Sequence, residues 1–272
     1  MKSHNLIRIA AAAAVTLVIV LFAGTWRNSR PVQAQNNWEH EESLVRIGFQ
    51  IAPVPLNLQG KDRELVGLGS YLVNAAGDCN GCHNGGGPPN FNYAAGGNPY
   101  FGQPAKVDPT TYLEGGSDFG PAVPPIPGVY PPAAYGDYVG PDIIARNLTP
   151  DKTGRPEGGH TLADFKRILK TGIDFDKLHP TCTSPAPVPT PANCIPPPVD
   201  GALLQVMPWP TFHNMTDHHM DAIYEYLSAI PCLESSPDPS NVLHNDCGTP
   251  KTGKSITPPD ARRKKKGGSN GF

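Results

Sequence analysis

The chain has 272 residues and a formal net charge of −2, enough for one large domain or two small ones and with no global signal for nucleic acid. Its 33 prolines and 29 glycines approach the level of low-complexity sequence, yet they concentrate between apolar periodic segments. That distribution argues for a small helical core carrying long loops.

Lys2 and Arg8 precede the apolar run IAAAAAVTLVIVLFAG at 9–24. A helix of that length spans about 24 Å, short of the roughly 30 Å hydrocarbon core. A charged start with a short apolar centre reads as an export signal. The small residues of Val32-Gln33-Ala34 place cleavage after Ala34, so 1–34 is a signal peptide or, uncleaved and tilted to Trp26, a membrane anchor. Either way the remainder is exported. Export bears on the six cysteines, 79, 82, 182, 194, 232 and 247, because spare thiols outside the cytosol oxidise to structural disulfides.

Residues 35–60 read as an extended N-terminal arm packing through Leu44, Ile47 and Phe49, with Pro53 and Pro55 opposing any helix there. The first predicted helix is KDRELVGLGSYLVNAAGD, capped by Asp62, with Leu65, Leu68, Leu72 and Ala76 at helical spacing. Gly67 and Gly69 lower its propensity by roughly 1 kcal/mol each and suit close helix packing on one side. Gly77 stops it. Residues 84–141 hold no helical period and predict an irregular wrapping segment with at most a short hairpin. Thr161 caps the next helix, over 161–174, with Asp164 as the capping-box acid and Gly172 as the stop. After a second Pro-rich insertion at 179–201 comes MTDHHMDAIYEYLSAIP, capped by Thr216, stapled by Met215 and Met220, and ended by Pro231. The tail 232–272 is polar and frayed except where cysteines tie it, and its basic run at 261–268 reads as solvated or as a docking patch.

Residues 79–83 read CNGCH. A redox dithiol places its C-x-x-C at a helix start in a βαβ setting, whereas here a helix precedes and a Gly/Pro loop follows. A zinc site needs two further ligands; there is no second C-x-x-C, and His213 and His218 straddle a helix start. C-x-x-C-H is the pattern of c-type haem attachment. Two thiols reach the two vinyl groups on one porphyrin edge, and the adjacent histidine turns its ring under the iron. Haem attachment also requires export, so motif and leader agree.

The segments GLGSYLVNAAGDCNGCH (67–83), RNLTPDKTG (146–154) and MPWPTFHNMTDHHMDAIYEYLSAIP (207–231) resemble those of class I c-type cytochromes, the periplasmic or membrane-attached electron carriers and cytochrome subunits of bacterial dehydrogenases. The resemblance implies an all-α fold, a cytochrome c-like helical core around one covalent haem c, spanning 61–231 with loop insertions at 84–141 and 179–201. It implies Cys79 and Cys82 as thioether anchors, His83 as one axial iron ligand, and Met207, before the last helix and followed by proline, as the other. The prolines 208 and 210 restrict φ and so preorganise that weak ligand. Met215 and Met220 are accounted for by packing, and His179, His213, His218 and His219 by polar surface. Trp209 and Phe212 are expected in the haem pocket wall. Arg146 is a candidate hydrogen-bond donor to a haem propionate, a capped turn at Asn147-Leu148-Thr149-Pro150 being the competing account. The other four cysteines allow three pairings, of which Cys182–Cys194 and Cys232–Cys247, neighbours in sequence, are favoured at roughly 3 kcal/mol each.

The implied function is one-electron transfer in the periplasm with redox proteins as partners, not catalysis. The alternative is the cytochrome subunit of a membrane-bound dehydrogenase or respiratory complex. A haem enzyme with an open distal site is the third reading.

Overall fold

The computed structural model describes residues 32–85, 92–121, 141–175, 179–181, 194–195, 200–238, 241 and 243–248, without the side chains of 32–39 and 121. Residues 1–31 of the predicted leader 1–34, Cys182 and the basic run at 261–268 lie outside the described residues.

The helix Arg63–Tyr71 packs between two others, Val32–Ile51 and Asp217–Leu227. The first, α1 (Val32–Ile51), replaces the extended arm expected over 35–60. Pro53 does not prevent it, because the proline follows the last turn rather than entering it. Helix α2 (Arg63–Tyr71) starts at Asp62, whose side chain accepts hydrogen bonds from the N–H groups of Glu64 and Leu65. It continues into a π-helical turn, Leu72–Ala76. Helix α6 (Asp217–Leu227) is capped by Thr216.

Glycines set both crossings of α2. A Cβ at Gly69 would come within 1.9 Å of the Ala222 carbonyl oxygen on α6, and one at Gly48 within 1.9 Å of the Gly67 carbonyl oxygen. Gly67 and Gly69 therefore serve opposite neighbours, α1 and α6, not one side as the sequence suggested. Two positions apart on a helix they differ by about 200°, which is why. Between the helices Val66, Leu68, Met220, Tyr226 and Leu227 are fully buried, each large side chain adding about 1.5–3 kcal/mol.

A polar network is embedded there. Tyr112 donates to Asn74 Oδ1 at 2.5 Å, Asn74 Nδ2 lies 3.1 Å from Tyr226 Oη, and the two tyrosine oxygens are 2.9 Å apart. Asn74 belongs to the π turn, which swings it onto α6. Burial raises both phenol pKa values well clear of neutrality, so the network is uncharged.

Further elements are α3 (Cys79–Cys82), α4 (Leu162–Thr171), α5 (Trp209–Phe212) and one antiparallel pair, β1 (Asp118–Pro121) with β2 (Asp142–Ile144). Thr161 caps α4 and Gly172 ends it at φ 72°. The segment 84–141, expected to be irregular with at most a short hairpin, supplies β1, whose partner β2 lies just beyond it, and two fully buried residues, Tyr112 and Leu113.

The start of the tail is fixed. Cys232 and Cys247 form a disulfide, and buried Asn245 donates to Thr149 Oγ1 at 2.9 Å and the Pro150 carbonyl at 3.0 Å. Cys194 is also disulfide-bonded. Among the described residues no helix is long and apolar enough to cross a membrane.

Candidate functional site

The pentapeptide follows directly from the π turn. Gly77 N–H donates to the Leu72 carbonyl at 2.8 Å, and Asp78 takes φ 43° to launch α3. Cys79 and Cys82 are three residues apart on a helical turn and so share one face. The turn carries onto His83, whose N–H donates to the Cys79 carbonyl at 2.8 Å.

His83 is buried, and its Nδ1 lies 2.8 Å from the Arg146 carbonyl oxygen. A carbonyl only accepts, so this contact assigns the proton to Nδ1 and leaves the Nε2 lone pair for a ligand. Desolvation holds the imidazole pKa below its ordinary value, with the Arg146 carbonyl opposing. The ring is neutral, the state in which histidine binds metals.

The loop after residue 110 holds this turn in place. Asn80 Oδ1 accepts from Leu113 N–H at 3.0 Å, Gly115 N–H donates to the His83 carbonyl at 3.1 Å, and Ser117 Oγ donates to the Asn84 carbonyl at 2.6 Å.

Cys79, Cys82, His83 and Met207 border one cavity of about 210 Å³, more than ten times the roughly 10–15 Å³ that holds a water. Its wall is mostly aliphatic and aromatic, with Ile144, Phe165, Leu169 and Phe212 among the lining residues. Arg146, Glu157, Asp174 and His179 bring polar groups to it. The Met207 segment is fastened to the end of α4: Leu204 N–H donates to the Gly172 carbonyl at 2.7 Å, and Ile173 bridges Leu203. Pro208 and Trp209 follow, and the Trp209 ring lies against Gly172, where a Cβ would come within 2.4 Å of it.

Three non-glycine residues have positive φ among those described: Asp78 (43°), Leu113 (58°) and Glu157 (54°). All three touch the pentapeptide or its holder. Asp78 precedes Cys79, Leu113 binds Asn80, and Glu157 Oε1 accepts from Arg146 Nη1 at 3.0 Å. Each costs about 1–2 kcal/mol relative to ordinary backbone, and such strain gathers where geometry matters for function.

The two thiols are not bonded to each other. Burial, with Asp78 and Cys82 adding to it, pushes the Cys79 thiol up to about 12. Cys82 is exposed, yet its pKa is raised as well, by desolvation and then by Asp78. A reactive dithiol needs the opposite shift, toward neutrality or below. Among the described residues no group of three or more His, Cys, Asp or Glu side chains is placed to hold a metal ion.

The chain matches no protein-family model, no curated protein and no solved structure. Its site therefore rests on its own geometry.

The geometry departs from the sequence reading at several residues. Phe212 lines the cavity, but Trp209 is turned onto Gly172 and is not among the lining residues. Arg146 lines the cavity, yet its guanidinium is committed to Glu157 and Asp174, so its contribution to His83 is its carbonyl. The capped turn does form: Asn147 Oδ1 accepts from Thr149 N–H and Oγ1 at 2.8 and 2.7 Å. His213 and His218 stand outside the cavity lining, on the Lys170 carbonyl and the Glu41 carboxylate, whereas His179 lines the cavity. Glu157, Asp174 and Asn80 were missed by sequence reasoning. Their partners lie 11, 28 and 33 residues away, and only the odd placement of Glu157 before two glycines hinted at a special backbone.

Proposed function

We propose that this chain is a monohaem c-type electron carrier. Cys79 and Cys82 would anchor haem c through thioether bonds, and His83 and Met207 would hold its iron. The observation that carries this reading is the meeting of all four residues at one largely apolar cavity, with His83 presenting Nε2 as its free nitrogen. Haem c supplies one-electron chemistry at its iron.

The protein's part is placement and exclusion. The raised thiol pKa values keep both sulfurs as neutral thiols, unsuited to disulfide exchange. Sharing one face of a turn, they suit attachment to one edge of a flat group. His83 is fixed by the Arg146 carbonyl, and Met207 by a segment tied to α4 and followed by proline. With both His83 and Met207 holding the iron, substrate would find no open position there. The apolar wall keeps water away from the centre and, together with a thioether ligand, favours the reduced state. The fold belongs to the same proposal: a cytochrome c-like helical core in which α2 crosses α6 beneath the pentapeptide, bearing β1–β2 on a loop. We place its action in the periplasm, with redox proteins as donor and acceptor.

A second reading, the cytochrome subunit of a membrane-bound dehydrogenase complex, gains support from Tyr100 and Phe101. They are 71% and 79% exposed on a short turn, and exposed aromatics suit a docking contact. Co-purification with a larger redox subunit favours it; a monomer at native levels argues against it.

The test is Met207→Ala in the haem-bearing protein. The expected result is loss of the near-infrared sulfur-to-iron absorption with the visible colour retained and a lower midpoint potential. An unchanged spectrum removes Met207 from the metal and points to the open-site enzyme reading.

A further inference from the structure

The residue that holds His83 is itself held by a buried charge cluster. Arg146 donates from Nη1 to Glu157 Oε1 at 3.0 Å and from Nη2 to Asp174 Oδ2. All three side chains are almost wholly shielded from water, with exposures of 14%, 8% and 10%. His160 Nδ1 approaches Glu157 Oε2 at 3.7 Å on the far side.

This arrangement is expensive as a structural element. A buried ion pair gives little net stability even when neutral. Here two carboxylates, Glu157 and Asp174, leave water to converge on one guanidinium. Glu157 also sits at φ 54° and is followed by Gly158 and Gly159. A third glycine would make the same turn without strain, so the position is defined by its carboxylate. A polar group kept at such cost is expected to fix something else.

What it fixes is the backbone of Arg146. With the guanidinium gripped from two directions, the residue cannot rotate or slide, and its carbonyl stays 2.8 Å from His83 Nδ1. We infer that Glu157 and Asp174 are positioning residues that act through Arg146 to lock the His83 ring in its Nδ1-protonated form with Nε2 free. The consequence for iron rests on the haem reading; the position of the ring does not. Outer-shell partners of this kind typically change metal binding or activity 10–100-fold when removed.

The test reads the ring directly. Nitrogen-15 NMR of His83 gives its tautomer and the solvent exchange of its Nδ1 proton, in protein with or without haem. The wild-type protein is expected to show the Nδ1–H form with a protected proton. Glu157→Gln and Asp174→Asn, which keep shape but remove a charge, are expected to speed exchange at least tenfold while helicity is retained. Lys152→Met, which breaks the exposed Lys152–Asp246 pair, is expected to leave it unchanged. In haem-bearing protein the first two variants also shift the midpoint potential upward, because a loosened Nδ1–H contact makes His83 a weaker donor. An Nε2-protonated wild type, equal exchange in all proteins, or loss of fold in both clamp variants would overturn the inference, the last because the clamp would then hold the chain rather than the ring. A colourless protein that still shows the protected proton and its loss in the variants sinks the haem reading and leaves the clamp standing.

Discussion

Cys79 concentrates the chemistry of the site in one thiol. Its folded pKa, about 12, lies above the ordinary thiol value of about 8.5. The thiol is therefore stabilised by folding below the unfolded pKa, and that contribution fades as pH rises toward 12. In protein prepared without haem, thermal stability should fall between pH 8 and pH 11, and Cys79→Ala should flatten the decline. At pH 8 the Cys79 thiol stays protonated, so iodoacetamide should label exposed Cys82 first. Faster labelling of Cys79, read by peptide mass mapping, would contradict the burial that defines this turn. The motif itself is plain in the sequence. Its support is not, because Asn80, Leu113 and Glu157 act through backbone angles and long-range partners that no local pattern records.

At the scale of elements, the helices that the sequence revealed are those with chemical end-signals. Asp62, Thr161 and Thr216 each cap a helix through a side-chain oxygen, and Gly172 closes α4 with a positive φ. Helix α1 escaped because in the sequence Pro53 and Pro55 count against a helix across the whole of 35–60, whereas they only follow its last turn; Val45, Gly48 and Phe49 pack it on α2. The two glycine crossings give separable predictions. Gly69→Ala drives a methyl into the Ala222 carbonyl, and backbone cannot yield as a side chain can. It should cost about 2–3 kcal/mol and lower the melting temperature of the whole domain. Gly48→Ala meets the Gly67 carbonyl and should loosen α1 first, seen as faster amide exchange in 40–51 with α6 still protected. Simultaneous loss of both helices in Gly48→Ala would show that α1 is integral to the core.

For the molecule as a whole, the core is small: residues of α2 and α6 are joined by Phe165 and Leu169 of α4 and by Tyr112, Leu113 and Leu148, and the start of the tail is held by tethers. The Cys232–Cys247 disulfide spans a sequence separation of 15 and should contribute about 3 kcal/mol. Cys232→Ser with Cys247→Ser should release 232–248 from Thr149 and Pro150, a change visible as new proteolysis there. Colour should survive, because no cavity-lining residue lies in that segment. Bleaching in that variant would mean that the tail shapes the site. The polar tail gave little warning of this order beyond its two cysteines, since its hydrogen bonds run to partners about a hundred residues away, as from Asn245 to Thr149.

The central claim is that Cys79, Cys82, His83 and Met207 enclose a covalent haem, and intact mass with a reduced-minus-oxidised visible spectrum of the exported protein tests it most directly. The account predicts a red protein whose mass carries one haem, with sharp reduced bands and neither Cys79 nor Cys82 available to alkylation. A colourless protein of polypeptide mass with both thiols open to reagent would contradict it.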